Sequence, residues 1–162
     1  MSDSLTHFDE TAKPRMVDVS EKAITKREAV AEALVSFSEE AWKTLAESGF
    51  TTKKGSLFDV AIVAGTMGVK QTSLLIPFCH PLVIDGCKFE VTPVHEDRMI
   101  RIRCRVKITA KTGVEMEALT GASAAALTIY DMTKALGHGI EIVSTRLISK
   151  TGGKEDYFAN DV

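Results

Sequence analysis

The chain has 162 residues, 44% apolar and 26% charged, an ordinary globular balance that suits one domain with a real core and leaves little room for two. A formal net charge of −2 argues against a dedicated nucleic-acid binder. Three cysteines, at 79, 87 and 104, make neither a disulfide framework nor a CxxC zinc pair, and no apolar run approaches the ~20 residues that span a bilayer, so a soluble protein of a reducing cytoplasm is expected.

Residues 1–15, "MSDSLTHFDETAKPR", are polar, lack the apolar centre of a signal segment, and read as a flexible tail. The last residues, 155–162 ("EDYFANDV"), read the same way. Between them, 16–154 carries no repeat, low-complexity tract or Pro/Gly linker and is expected to form one domain. "REAVAEALVSF" (27–37) suits a strand or a helix by pattern alone. The adjoining residues favour a strand there, because Ser38 is a good N-cap, Phe37 and Trp42 stand at hydrophobic-staple positions, and Gly49 suits the stop of a helix over 38–48.

"SLFDVAIVAGTMGV" (56–69) opens with Ser56 and Asp59, a capping-box-like pair, and carries Ala61, Gly65 and Gly68 where a neighbouring backbone can come close. Pro77 and Pro81 then break the chain around Cys79 and His80. "CKFEVTPV" (87–94) and "MIRIRCRVKI" (99–108) alternate with period two on either side of "HEDR", the pattern of a hairpin. Ile100, Ile102, Cys104, Val106 and Ile108 form one face of its second strand, and Arg101, Arg103, Arg105 and Lys107 the other. Cys87 and Cys104 fall on the apolar faces and are assigned to the core.

In "TGVEMEALTGASAAALTIYDMTKALG", Thr112 and Glu115 predict a capping box and Gly137 the stop of a helix of about 22 residues. "IEIVSTRLIS" (140–149) is a strand. The order β-α-β-β-α-β, with an extra helix in the first crossover, is that of an α+β ferredoxin-like sandwich.

On the long helix, Glu117, Thr120, Ala124, Leu127, Asp131 and Lys134 share one face, while Leu119, Ala122, Ala126, Ile129, Thr133 and Leu136 lie nearly opposite, towards the sheet. Taken alone, Glu115 and Glu117 merely complement the helix N-terminus, and Asp131 and Lys134 are an ordinary exposed pair. The small residues of "GASAAA" invite a close neighbour. Were that the same helix of a second subunit, crossing antiparallel at Ala124, Glu117 of one copy would face Asp131 of the other, although the two stand about 21 Å apart along one helix.

Cys79 and His80 are adjacent and point apart, so the histidine does not activate the thiol as in a cysteine protease. From the residues alone, a buried thiol beside a structural histidine and a ligand-facing segment are equally open readings. Lys53 and Lys54 precede a helix start, and Lys150 and Lys154 flank a Gly-Gly turn. Such settings suit phosphate, but this is no Walker motif.

At "KTGVEMEALTGASAAALTIYDMTKAL", with "IPFCHPL" and the early "MVDVS", the chain resembles the molybdenum cofactor biosynthesis protein C family, the cyclic pyranopterin monophosphate synthases. The resemblance runs from about Met16 to Lys154. It implies a ferredoxin-like fold, a homohexamer built as a trimer of dimers with sites at subunit interfaces, and a small-molecule substrate. That substrate is 3′,8-cyclo-7,8-dihydro-GTP, converted to cyclic pyranopterin monophosphate with release of pyrophosphate.

Carried onto this chain, the family's substrate contacts fall on Phe78, Cys79, His80, Met116 and Glu117, and its catalytic aspartate on Asp131. Its functional lysines match Lys54, Lys134, Lys150 and Lys154, and a basic position matches Arg27. Ser56 stands where the family often has an acidic residue, with little effect expected because both cap a helix. Phe78 stands where it often has Leu, with a slight change of substrate fit expected. The implied roles are acid/base work for Lys54 and Lys134, tuning by Asp131, and stabilisation of phosphate charge by Arg27 and the remaining lysines. Cys79 is a wall residue rather than a covalent nucleophile. No dedicated metal ligands stand out; a magnesium ion could accompany the triphosphate.

A non-catalytic pterin- or nucleotide-binding subunit of the same fold is the alternative, and it loses weight because Lys54, His80, Glu117, Asp131 and Lys134 are all present. The Arg/Lys strand face lacks the interleaved aromatics of a single-strand binder.

Overall fold

The computed structural model describes residues 13–160. Its elements in chain order are β1 (Thr25–Ser36), α1 (Glu39–Glu47), a small hairpin of β2 (Thr51–Thr52) and β3 (Gly55–Ser56), α2 (Leu57–Leu75), β4 (Gly86–Val94), β5 (Met99–Ala110), α3 (Glu115–Thr133), β6 (Glu141–Thr151) and β7 (Tyr157–Phe158). The sheet runs β4-β5-β1-β6-β7, antiparallel throughout, with α2 and α3 layered on one face. This is the ferredoxin-like α+β arrangement, with α1 as the extra helix of the first crossover.

β1, ambiguous by pattern, is the central strand. Its alternate residues Ala29, Ala31, Ala33 and Val35 are fully buried under the helices, and the small alanines let α3 lie close to the sheet. β5 follows the expected alternation, burying Ile100, Ile102, Cys104, Val106 and Ile108. On the open face its basic row is answered by β1: Arg103 and Arg146 donate to Glu32 at 2.9 and 3.1 Å, and Arg105 and Lys107 pair with Glu28.

Local signals placed most element ends. Ser38 Oγ accepts from the Ala41 N–H, and the Phe37 and Trp42 rings meet at 5.8 Å. Ser56 Oγ accepts from the Asp59 N–H, and α2 continues past residue 69 to Leu75, just before Pro77. The capping box expected of Thr112 and Glu115 does not form. The helix starts at Glu115, so Val114, which has no polar side-chain atom, occupies the cap, and the Glu115 carboxylate pairs with Lys150 at 3.2 Å. At the other end a 3₁₀ turn, Lys134–Leu136, carries α3 to Gly137, whose φ of 128° suits only glycine.

Three further expectations change. The close neighbour of "GASAAA" is α2 of the same chain. A Cβ on Gly68 would stand 2.8 Å from the Ala124 Cβ, and one on Gly121 would stand 2.5 Å from Val69 Cγ2. Two α3 helices therefore cannot cross at Ala124, since α2 already occupies that surface. Cys104 is in the core, but Cys87 is exposed because β4 is an outer strand of the sheet. Within the expected C-terminal tail, Tyr157 and Phe158 pair with Lys150 and Ser149 and extend the sheet. The expected N-terminal tail lies outside the described residues except for 13–15. Among the described residues no helix is long and apolar enough to cross a membrane.

Candidate active site

The expected site residues gather at the two ends of α3. At its N-terminal end, α2 stops at Leu75, the Cys79 N–H turns back to the Ile76 carbonyl at 3.1 Å, and Pro77 and Pro81 hold the segment irregular. Phe78, Cys79 and His80 thereby face Met116 and Glu117 across a cleft of about 730 Å³, which Lys150 also lines. Val17 and Val19 of the "MVDVS" stretch form another part of the wall. That stretch is pinned because Asp18 Oδ1 accepts from both the backbone and the hydroxyl of Ser20, contacts that hold the Asp18 carboxyl below its ordinary value. Lys111 Nζ adds a 2.6 Å hydrogen bond to the Ser20 carbonyl.

A second hollow of about 580 Å³ adjoins the first, sharing Lys22, Gly113, Glu115 and Lys150, and adds Arg27 and Lys154. The Arg27 guanidinium is oriented by hydrogen bonds to the carbonyls of Ala110 (3.2 Å) and Lys111 (3.3 Å). The Gly-Gly turn matters sterically. Gly152 has φ 80°, and a Cβ there would stand 2.0 Å from the Lys26 carbonyl oxygen, so only glycine lets the turn pass against β1 and set Lys154 beside Arg27.

Glu117 is buried, with 4% of its surface exposed, and burial pushes its carboxyl above the ordinary glutamate value. Cys79 is likewise pushed up, first by burial and then by Glu117, so its thiol holds its proton. A protonated thiol is a poor nucleophile.

The other expected residues lie at the C-terminal end of α3. Lys54 sits on the β2–β3 turn, where its N–H donates to Thr52 Oγ1 at 3.1 Å. Its Nζ donates to Asp131 Oδ2 at 3.1 Å, while Lys134 Nζ donates to Asp131 Oδ1 at 2.7 Å. These two hydrogen bonds, Lys134's first, hold the Asp131 carboxyl below its ordinary value, and Asp131 in turn raises Lys134. None of the three lines the cleft. Fourteen helical residues separate Glu117 from Asp131, about 21 Å of rise.

Lys22 is the residue that sequence reasoning passed over. A Val19–Lys22 backbone turn of 3.1 Å places it at the junction of the two hollows, two residues beyond a motif already singled out. Its nearness to "MVDVS" was the available signal. Among the described residues no group of three or more His, Cys, Asp or Glu side chains is placed to hold a metal ion.

The model of the MoaC family matches residues 16–153. A cyclic pyranopterin monophosphate synthase from Xanthomonas oryzae pv. oryzae is 55% identical over 152 residues, covering 94% of this chain and 92% of the relative. Its namesake from Xanthomonas axonopodis pv. citri is 53% identical over the same shares. A molybdenum cofactor biosynthesis bifunctional protein from Synechocystis is 50% identical over 154 residues, 93% of this chain but 44% of that longer protein.

Proposed function

The chain belongs to the MoaC family, and on that premise we propose that it is a cyclic pyranopterin monophosphate synthase of molybdenum cofactor biosynthesis, acting in the cytoplasm. It converts 3′,8-cyclo-7,8-dihydro-GTP to cyclic pyranopterin monophosphate and pyrophosphate. The observation that carries the mechanism is the division of ionisable groups between the two ends of α3. One end is a hollow with a basic annex, and the other is a carboxylate holding two lysines. Neither is a complete site, so we assign the working enzyme to a trimer of dimers in which Lys54, Asp131 and Lys134 of one copy close over the cleft of another.

In that site the triphosphate lies along Lys22, Arg27, Lys150 and Lys154, whose charge offsets the negative charge that builds as pyrophosphate leaves. The purine-derived ring lies against Phe78, Cys79, His80 and Met116. Glu117, whose carboxyl is raised by burial, is placed to donate a hydrogen bond to a ring acceptor in its protonated form. Lys134, held protonated by Asp131, supplies a proton as the five-membered ring opens, and Lys54, on the other oxygen of that carboxylate, is the second acid/base candidate. Of the carboxylates beside the phosphate hollow, Glu115 is paired with Lys150 and Glu28 with Arg105 and Lys107. A magnesium ion would arrive with the triphosphate, and the steps above do not run through it.

The test is to incubate the purified protein with the cyclised dihydro-GTP and follow pyranopterin and pyrophosphate by mass spectrometry. Both products are expected. Lys54→Ala and His80→Ala proteins, each inactive alone, are expected to regain part of the activity when their subunits are exchanged, since some mixed interfaces then hold one intact site. Binding without turnover would refute the synthase reading, and absence of any rescue would refute the shared site.

A further inference from the structure

Two cysteines outside the cleft face one another across the outer pair of strands. Cys87 of β4 stands opposite Val106, and Cys104 of β5 opposite Phe89, which makes the two thiols diagonal neighbours on the helix-facing side of the sheet. The two thiols are near enough to influence one another, and Thr66 on α2, whose hydroxyl donates to the Ile62 carbonyl at 2.8 Å, stands beside Cys87. Their surroundings differ sharply. Cys87 is exposed at the sheet edge, whereas Cys104 is fully buried with its Sγ against the α3 backbone at Gly121. The neighbouring Cys104 lowers the Cys87 thiol from its ordinary value, while Cys87 and burial together raise Cys104. Reactivity of a thiol begins with access, which Cys87 has at the sheet edge and Cys104 lacks. Cys79 has less of it, being half-buried, and its thiol is raised by burial and by Glu117.

We propose that Cys87 and Cys104 form a peroxide-reactive dithiol, a modification site separate from the catalytic cleft, with Cys87 as the attacking thiolate and Cys104 as the resolving thiol. In the first step the Cys87 thiolate attacks one oxygen of the peroxide. An S–O bond forms, the O–O bond breaks, and hydroxide leaves and takes up a proton as water. In the second step the Cys104 sulfur attacks the sulfenic sulfur. The S–S bond forms, and the departing hydroxide takes the Cys104 proton as a second water. Two thiols are oxidised by one peroxide, with no further co-reactant, and a small dithiol such as dithiothreitol reverses the change.

Diagonal partners lie roughly 7 Å apart, a little beyond the usual Cα separation of a disulfide, so closure draws the two strands together. β4 can follow because β5 is its only strand partner among the described residues.

The experiment treats the full-length assembly with one equivalent of hydrogen peroxide and reads intact mass and cysteine-containing peptides. The expected product has lost two hydrogens, carries a Cys87–Cys104 link and recovers its mass with dithiothreitol. It should form about tenfold faster than any oxidation of Cys79. Cys87→Ser, or Cys87→Ala should the serine variant fold poorly, is expected to abolish the reaction. Cys104→Ser is expected to stop at a Cys87 sulfenic acid that dimedone traps. Prior oxidation of Cys79, sulfinic acid at Cys87 with Cys104 still free, or a pair inert to peroxide would each overturn the proposal.

Discussion

Glu117 and Asp131 are carboxylates on one face of one helix, yet they shift in opposite directions. Glu117 stands in the first turn of α3, packed under the Phe78–His80 segment, and the loss of water around it favours the neutral acid. Asp131 stands in open solvent with an ammonium on each oxygen, and those contacts favour the anion. Glu32 separates the two causes. Burial pushes its carboxyl up, as at Glu117, but hydrogen bonds from Arg103 and Arg146 outweigh that effect and hold it below its ordinary value. The partners that reach a buried acid decide its charge, and burial decides it only when none arrive. One helix can therefore favour the neutral acid at one end and a fixed anion with two cations at the other.

The contrast is broken most severely at the anionic end. Asp131→Asn removes the charge that gathers Lys54 and Lys134, and turnover is expected to fall ~10³-fold in a pyrophosphate-release assay while light scattering shows an unchanged assembly. A rate near that of the parent would remove Asp131 from the mechanism.

At the neutral end, Glu117→Gln keeps a hydrogen-bond donor of the same shape, and Glu117→Ala does not. The alanine variant is expected to bind substrate ~10- to 100-fold more weakly and the glutamine variant about as well as the parent. The sign with pH comes from the raised pKa. Parent affinity should decline as pH rises through the raised Glu117 value, while the glutamine variant stays flat. Equal loss in both variants would mean that the bound form is the carboxylate.

Contact between α2 and α3 keeps the cleft residues on α2's end in register with α3. Gly68→Ala puts a Cβ 2.8 Å from Ala124, and a loss of about 1–3 kcal/mol is expected as a lower denaturant midpoint. An unchanged midpoint would show that the helices separate freely.

The smallest effect is expected at the third carboxylate. Since the folded-state pKa of Glu32 is depressed, its contribution is present above the unfolded value and lost as pH falls through the folded one. Glu32→Gln should therefore cost about 1 kcal/mol at neutral pH, a figure reduced because its arginine partners are nearly half exposed, and the difference should vanish in acid. A cost independent of pH would mean that shape rather than charge holds the arginines.

Much of this was legible locally. Ser38, Ser56 and Gly137 mark helix ends because capping is a contact between residues a few positions apart. The alternation of β5 names its buried face because a strand has only two faces. The stretches around Cys79, Glu117 and Asp131 were recognisable as family motifs because each is a run of residues contiguous in the chain, and all lie within the matched residues 16–153.

What tertiary structure decided are contests between distant groups. The cap of α3 fell on Val114 rather than Thr112, and Glu115 found its partner in Lys150, a residue distant in the chain. α2 took the surface that "GASAAA" offered, which a pattern of small residues leaves open to any neighbour. Two cysteines equivalent by alternation became one buried thiol and one exposed thiol, because strand order alone puts β4 outside β5. The site residues divided between the ends of α3 because a helix is a rigid rod. The sequence named which side chains belong together chemically; the length of that rod separated them in space.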